Sequence, residues 1–276
     1  MIYQSPIPTL GGKRKLMSEL NEVFDYITDC RNISLFADMF TGSGTCIVNN
    51  RLEHLPQIGV DTDLGMISYL QCLQDEAKLE ELVDKILVLE KEVLQKKLCL
   101  EYLDHLDYKE EDIVQRGAIT FLKAHYSRAS DRQTFIESRL PKGVSINLLE
   151  SLFTWSSRLE NVEFIHNDFL SVFTELDQRA GVLFYMDPPY VRGDNPKPTT
   201  GYTDPFGIAD HQRLVQAAIK SKNAIVISGY RNSIYTQLEE KGFYRYYLRE
   251  VNVFSSSKGM REQEYIWSNV EIPFLD

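Results

Sequence analysis

The sequence has 276 residues, of which 43% are hydrophobic and 25% are charged, and its formal net charge is −10 at pH 7. A chain of this length and composition can bury a full hydrophobic core, which excludes an intrinsically disordered protein. No apolar run approaches the roughly 20 residues that cross a membrane, so we expect a cytoplasmic protein without a membrane partner. The four cysteines are scattered and form no CxxC pair, so the sequence predicts neither a disulfide framework nor a metal site.

Short apolar runs alternate with helix-like stretches along the chain, which indicates an α/β protein with a doubly wound sheet. Seven strands are predicted, at 33–38, 57–61, 162–167, 181–187, 224–230, 243–251 and 263–269. No crossover helix separates the last two of these runs. We therefore expect the last strand to be antiparallel to the strand before it.

A long helical insertion is predicted between the second and third strands. No Gly or Pro occurs between Met66 and Arg116, and apolar residues recur there at helical spacing. Residues 75–112 include 13 acids and 6 Lys or Arg, and the acidic side is predicted to face solvent rather than a metal ion. The domain prediction is a catalytic domain, 1–72 and 160–276, with a helical insertion, 73–159.

The first three strands end close to glycines or acids. The first strand leads into "FTGSG", where Gly42 and Gly44 allow a tight turn and a close approach of a ligand to the backbone. This segment is not a Walker loop, because no Lys-Ser/Thr follows it, and an ordinary turn is the alternative. Asp61 closes the second strand at the distance where a carboxylate binds a ribose diol, and we favour it over Asp63 for that reason. Asp168 follows the third strand, and its alternative role is a helix N-cap.

The fourth strand stops abruptly at Asp187-Pro188-Pro189-Tyr190. The apolar run before it is typical of a central parallel strand, and the two prolines prevent both further sheet pairing and a helix start. Ligands of open α/β sheets bind at the carboxyl ends of the strands. We therefore expect an acid, a carbonyl group and an aromatic ring to face one planar ligand, the alternative being a purely structural turn.

The segments "FTGSG", "GVDTD", "HNDF" and "DPPY" follow "LGGKRKLMSEL" in a fixed order. This set resembles the Dam-type (alpha) class of S-adenosylmethionine-dependent DNA adenine-N6 methyltransferases, over residues 5 to about 70 and 160 to 270. The resemblance implies a Rossmann-like class I methyltransferase sheet of seven strands, the last one antiparallel, with a helical inserted target-recognition subdomain. It also implies S-adenosylmethionine as cofactor and double-stranded DNA as substrate. A cognate restriction endonuclease is compatible with the resemblance, but the sequence does not determine whether such a partner exists.

The resemblance also assigns roles to individual residues. The residues that it places at the cofactor are Lys13, Phe40, Gly42, Gly44, Asp61, Asp168 and Phe169. Among these, Asp61 is expected at the ribose, and Asp168 and Phe169 at the cofactor adenine, whereas a solvated lysine is the alternative for Lys13. The residues that it places at the target base are Asp187, Pro188, Pro189 and Tyr190.

The residue types at "DPPY" suit transfer to an amino group. Hydrogen bonds from the adenine amino group to the Asp187 carboxylate and the Pro188 carbonyl would localise the nitrogen lone pair and aim it at a methyl group. A direct displacement needs no covalent intermediate. Adenine in a duplex must be flipped out to be reached, and Tyr190 provides an aromatic face for the flipped base.

Two basic stretches and one loop are predicted to contact DNA. The candidates are Lys123, Arg128, Arg132, Lys258 and Arg261, since phosphates are bound by Lys and Arg, together with Tyr202 and Phe206. The last two close over the target base, contact DNA or anchor their loop. We expect Asp210 to cap the helix that follows and His211 to be structural.

Two other functions remain open from the sequence alone. "DPPY" is shared with RNA base amino-methyltransferases, and the acidic charge of the chain is compatible with that class. A catalytically silent cofactor-binding nucleic-acid protein is the second alternative, because Pro8-Thr9-Leu10 precedes the glycines where many relatives have an aromatic residue. The segment "FLKAHYSRASDRQTFIESRLPKG" also differs from the family's common "FNVP"-bearing hairpin, so the resemblance assigns no target sequence.

Overall fold

The computed structural model describes residues 7, 13–96, 103, 106, 112–127, 132, 136, 138, 143–191, 206–252 and 261–275. The chain divides into two compact units. The first unit comprises Met1–Lys15, Thr41–Asn49 and Asp61–His166, and the second comprises Leu16–Phe40, Asn50–Val60 and Asn167–Asp276. No helix among the described residues is both long and apolar enough to cross a membrane.

The described secondary structure alternates between helices and strands. After a 3-10 turn at Lys13–Leu16, the helices are α1 (Met17–Cys30), α2 (Thr45–Asn49), α3 (Leu64–Gln74), α4 (Glu76–Lys96), α5 (Ile113–Tyr126), α6 (Ile146–Leu159), α7 (Phe169–Leu176), α8 (Ile208–Lys220) and α9 (Ser233–Glu240). The strands are β1 (Leu35–Asp38), β2 (Gln57–Asp61), β3 (Val162–His166), β4 (Val182–Met186), β5 (Ala224–Tyr230), β6 (Tyr244–Asn252) and β7 (Arg261–Ser268). All seven predicted strands are present, with ends that differ from the prediction by no more than two residues.

The strands form one seven-stranded sheet in the order β3-β2-β1-β4-β5-β7-β6. Strand β1 pairs in parallel with β2 and β4, and β4 pairs in parallel with β5. Strand β7 is antiparallel to both β5 and β6. The predicted Rossmann-like methyltransferase sheet with an antiparallel last strand is therefore confirmed.

Burial along each strand follows its place in the sheet. All residues of the central strands β1 and β4 are buried, because helices cover both faces of a parallel sheet. Strand β3, at one edge of the sheet, alternates between buried and exposed side chains. At the other edge, β6 exposes Tyr244 and Tyr247.

The predicted helical insertion is interrupted at Asp75, where α3 ends and α4 begins. The Asp75 carboxylate accepts a hydrogen bond from the Lys78 backbone N–H (3.0 Å), which is the geometry of a helix N-cap. The buried apolar side of α4 consists of Leu79, Leu82, Ile86, Leu89 and Val93. Most acids of this helix lie on its exposed side, as predicted, but Glu90 is buried and accepts a hydrogen bond from the Tyr126 hydroxyl (2.6 Å).

Candidate active site

The strand order reverses between β1 and β4, and an open α/β sheet forms its ligand crevice at such a point. The register places Asp38 beside Tyr185, so both strands end at the same edge of the sheet. Phe40 follows β1 and Asp187 follows β4 directly. The second unit therefore brings the "DPPY" segment to the edge where ligands of this architecture bind.

The "FTGSG" segment forms a tight turn in the first unit. Gly42 and Gly44 both have positive φ, at 49° and 73°, a backbone conformation that side chains with a Cβ disfavour. The Gly44 N–H donates to the Thr41 carbonyl (2.9 Å), and the Gly44 carbonyl accepts from the Val48 N–H (3.0 Å) at the start of α2. The predicted turn is thus present, while its role at the cofactor stays a prediction.

The Asp61 carboxylate at the end of β2 is held by two backbone groups. Its Oδ2 accepts from the Gly42 N–H (2.7 Å) and its Oδ1 from the Asp63 N–H (2.9 Å). Burial raises the pKa of Asp61 to about 6, although these two hydrogen bonds oppose the shift. Asp63 instead caps α3 through the Met66 N–H (3.0 Å) and forms an ion pair with Arg132. Both acids are thus engaged within the protein, and the choice of Asp61 as the ligand-binding acid stays a prediction.

Three phenylalanine rings form a cluster in the second unit. The centroid of Phe40 lies 5.2 Å from those of both Phe169 and Phe206, and Phe169 and Phe206 are 5.6 Å apart. Phe206 thus contacts the two aromatic residues predicted to bind the cofactor. This contact agrees with the interpretation of Phe206 as a loop anchor, and its contact with the base or DNA stays a prediction.

Asp168 has the helix-capping role that the sequence analysis gave as its alternative. Its Oδ1 accepts from the Leu170 N–H (3.0 Å) at the start of α7. The same oxygen accepts from Nη2 of Arg213 (3.0 Å), whose guanidinium lies 5.7 Å from the centroid of the Phe169 ring. The sequence analysis missed Arg213. The sequence feature that could have indicated Arg213 is its position three residues after Asp210. Its Nη1 atom also forms an ion pair with Oδ1 of Asp210 (2.9 Å).

The Tyr190 side chain is tethered to a buried acid. Its hydroxyl donates to Oε1 of Glu264 (2.8 Å). Its ring makes a T-shaped contact with that of Tyr230, with the centroids 4.7 Å apart. Burial raises the pKa of Tyr190 well above its usual value, so the hydroxyl keeps the proton that it donates. Glu264 is only 3% exposed, and its Oε2 atom lies 3.5 Å from Nε of Arg249.

The sequence analysis also missed Glu264. The available signal was the alternation of β7, which puts this acid on the same strand face as Ile266 and Ser268, both fully buried. A charged residue at an inward position of a strand is uncommon unless it has a partner. Tyr190, which is distant in sequence, is that partner.

His211 contacts the last proline of "DPPY". Its Nε2 lies 3.0 Å from the Pro189 carbonyl oxygen and its Nδ1 lies 3.0 Å from the Tyr235 hydroxyl. Asp210 helps to cap α8 as predicted, but from inside the helix. The helix begins at Ile208, and the Asp210 carboxylate accepts from the N–H of the N-cap residue Gly207 (3.0 Å).

The structure describes several further residues from the predicted site. Lys13 is 7% exposed, so the alternative of a solvated lysine is wrong. Arg132 and Asp63 form an ion pair whose side chains are 16% and 14% exposed, whereas Arg261 pairs with Glu250 (2.9 Å) on the surface.

Of the remaining residues predicted to contact DNA, the structure describes Lys123. Lys123 lies in the last turn of α5. Four predictions concern residues outside those that the structure describes: Tyr202, Arg128, Lys258 and the segment Pro8-Thr9-Leu10. DNA binding by all of the proposed basic residues stays a prediction.

Comparison with known proteins decides the family. A model of the D12 class N6 adenine-specific DNA methyltransferases matches residues 10–253, which is most of the chain. The chain belongs to this family. The methyltransferase therefore modifies the N6 atom of adenine in DNA, as the ordered motifs predicted, and the family assignment favours this function over the RNA-directed and silent alternatives.

Two further comparisons add little to the family assignment. The methyltransferase is similar to PH1948 from Pyrococcus horikoshii, a protein of known crystal structure that is provisionally described as an RNA methyltransferase. The identity is 10% and the TM-score 0.41, over 96% of this chain and 88% of the other. A search of the curated proteins found no match.

Replacement of Gly44 by alanine is expected to destabilise the methyltransferase for two reasons. The left-handed backbone alone costs about 1–2 kcal/mol, and the new Cβ would lie 2.9 Å from Cδ2 of the buried Leu70. Overpacking of this kind costs roughly 1–3 kcal/mol more. Urea denaturation measures the loss in the free energy of unfolding.

Gly242→Ala is the matched control for that substitution. Gly242 also has a positive φ, 89°, but a Cβ added there meets nothing within 4 Å. It should therefore show the backbone cost alone. Equal losses in the two variants would mean that Leu70 moves away without cost.

Replacement of Tyr190 by phenylalanine is expected to lower the free energy of unfolding by about 1–3 kcal/mol, because the buried Glu264 loses a hydrogen-bond donor. Tyr247→Phe is the control, since that ring is 46% exposed and surface substitutions usually stay within about 0.5 kcal/mol. Thermal and urea unfolding of both variants would test this. A loss no larger for Tyr190→Phe than for the control would contradict the tether.

Proposed function

We propose that the methyltransferase uses S-adenosylmethionine as methyl donor and transfers the methyl group directly to adenine flipped out of duplex DNA. The observation that carries this proposal is the "DPPY" segment at the carboxyl end of β4. There the Pro189 carbonyl and the Tyr190 hydroxyl are each hydrogen-bonded to a buried side chain. A segment held at both of these points can present its polar groups in one fixed direction.

The described residues provide the groups that the cofactor needs. Each Asp61 oxygen already accepts one backbone N–H; a carboxylate oxygen has a second acceptor site, which suits a ribose diol. Gly42 carries no Cβ that would obstruct the approach of a ligand to the backbone, and Gly44 is proposed to shape the same turn at the cofactor. Lys13 is proposed as a further cofactor residue. The bound sulfonium would supply an electrophilic methyl group.

The cofactor adenine is proposed to bind in the second unit. Phe169 and Phe40, whose centroids lie 5.2 Å apart, are proposed to pack on this base, since stacking on aromatic rings is the common mode of binding a planar base. Oδ1 of Asp168 is engaged by Leu170 and Arg213. We therefore assign the contact with the cofactor amino group to its other carboxylate oxygen.

The target adenine is proposed to lie against Asp187, Pro188 and Tyr190. Its amino group would donate to the Asp187 carboxylate and to the Pro188 carbonyl, which reduces delocalisation of the nitrogen lone pair into the ring. The nitrogen lone pair would then attack the methyl carbon as its bond to sulfur breaks and the neutral thioether leaves. The proton that the amino group loses afterwards would have the Asp187 carboxylate as a nearby acceptor. Tyr190 would stack on the flipped base.

Contact with the duplex is assigned to the basic stretches named from the sequence. Lys123 and Arg261 would contribute charge to phosphate contacts, since those contacts position a protein on DNA without reading its sequence. A restriction endonuclease of the same specificity is the proposed partner, on the basis of the family alone. This partnership would be tested by measuring whether DNA modified by the methyltransferase resists cleavage by the nuclease.

Expression in a host without endogenous adenine methylation should produce N6-methyladenine at a defined motif in the genomic DNA. The variant Asp187→Ala should leave this motif unmodified, because the amino group loses its carboxylate acceptor, while its affinity for S-adenosylmethionine stays near wild type. Single-molecule sequencing and calorimetry provide the two readouts. Methylation retained in Asp187→Ala would overturn the role assigned to Asp187. Transfer of a radiolabelled methyl group to RNA but not to DNA would overturn the DNA substrate.

The affinity for S-adenosylmethionine should fall as the pH falls below about 6. Because the pKa of Asp61 is raised to about 6, the carboxyl group takes up a proton there and no longer accepts both ribose hydroxyls. If binding requires the ionised form, the affinity falls by up to about tenfold per pH unit below that pKa. Calorimetry between pH 5 and 8 measures the profile.

Asp61→Asn is the control for the pH profile. Asparagine does not titrate, so this variant should bind the cofactor weakly and with little pH dependence. A wild-type affinity that is as flat as that of the variant would remove Asp61 from the cofactor site.

A further inference from the structure

The "DPPY" segment has few means of fixing its own conformation. Proline carries no N–H, so only Asp187 and Tyr190 have backbone donors among these four residues. The carbonyl groups of the segment must therefore find donors on other elements, or water. The Pro189 carbonyl finds one in His211 of helix α8.

The hydrogen bonds of His211 determine its tautomer. A carbonyl oxygen can only accept, so the Nε2 atom, 3.0 Å from the Pro189 oxygen, must carry the hydrogen. In a neutral ring Nδ1 is then an acceptor, and the Tyr235 hydroxyl at 3.0 Å must donate to it. The result is a directional chain from Tyr235 through His211 to Pro189.

The surroundings of His211 favour this neutral form. The side chain is 1% exposed, and burial lowers its pKa to about 4. The ring also packs almost perpendicular to that of Phe206, with the centroids 4.7 Å apart. Tyr235 is itself 1% exposed. Both members of the chain are therefore enclosed, and a buried hydrogen bond of this kind is costly to break.

We propose that His211, oriented by Tyr235, is a positioning residue for methyl transfer. By donating to the Pro189 carbonyl it fixes the peptide plane between Pro189 and Tyr190. That plane sets the direction of the Tyr190 ring and, through the rigid proline, of the Pro188 carbonyl. The inference rests on the proposed function, in which those two groups hold the target adenine.

Glu264 provides a second anchor, at the opposite end of Tyr190 from His211. His211 holds the backbone on the amino side of Tyr190, and Glu264 holds the hydroxyl at the tip of its ring (2.8 Å). The two anchors come from different elements, helix α8 and strand β7. Removal of the His211 anchor leaves the ring tethered at its tip but free to tilt about that point.

Single-turnover methyl transfer at saturating DNA and S-adenosylmethionine tests the proposal. His211→Leu removes the donor and should lower the rate constant by about 10- to 100-fold, the scale of a misplacement of about 1 Å. His211→Gln keeps an N–H donor at nearly the same reach and should restore most of the rate. Cofactor affinity should be unchanged in both variants. Tyr235→Phe should reduce the rate less than His211→Leu does, because the imidazole donor stays in place.

His54→Leu is the matched control, because His54 is an exposed histidine outside the proposed site. A wild-type rate in His211→Leu would overturn the proposal. The proposal would also be overturned if His211→Leu and His211→Gln lost the same fraction of the rate constant and the same number of degrees in melting temperature. That result would indicate a merely structural role.

The imidazole ¹⁵N chemical shifts give a readout that does not depend on activity. At pH 7 they should show a neutral ring with its proton on Nε2, and an Nδ1–H or doubly protonated ring would overturn the hydrogen-bond chain. If the wild-type protein transfers no methyl group to adenine, the proposed function fails and the catalytic part of this inference fails with it. A wild-type enzyme that is active while His211→Leu is equally active refutes this inference alone.

Discussion

Burial of the central strand β4 is the constraint on which the rest of this structure depends. The strand pairs in parallel with β1 and β5 and is buried along its whole length. Its one side-chain hydroxyl, on Tyr185, bonds to Ser228 (2.9 Å) inside the sheet. Because an unpaired charge is costly to bury, the first charged residue follows the end of the strand. The chain places an acid there at once, and two prolines prevent it from turning back into the sheet.

The same constraint explains how the site is supported. A loop with two prolines has few backbone donors for its own carbonyl groups, and here part of its support comes from neighbouring elements of the second unit. Helix α8 contributes His211, and β7 contributes Glu264. Both side chains are buried. His211 holds the carbonyl that lies between the proposed base contacts Pro188 and Tyr190, and Glu264 holds the hydroxyl of Tyr190 itself.

Acids and arginines are paired inside each unit of this acidic protein. Asp63 pairs with Arg132 in the first unit, and Asp168 pairs with Arg213 in the second. These pairs orient carboxylates at or beside the predicted ligand contacts, and the first of them engages Arg132, which the sequence analysis assigned to DNA. Net charge is therefore a poor guide to the DNA-binding surface, since phosphate contacts depend on local charge.

The sequence by itself determined the seven strands, the family and the motif residues. The reason is that each of these is a local signal: an apolar run, a glycine turn, or an acid and prolines at a strand end. Only the tertiary structure decided what supports the motifs. Arg213, Glu264 and His211 lie 45, 74 and 22 residues from the partners that they contact. No local pattern encodes contacts across such separations, because chain folding and the sheet order bring those side chains together. The break at Asp75 belongs to the same class, since a cap competes with helix continuation and helical periodicity alone does not reveal which prevails.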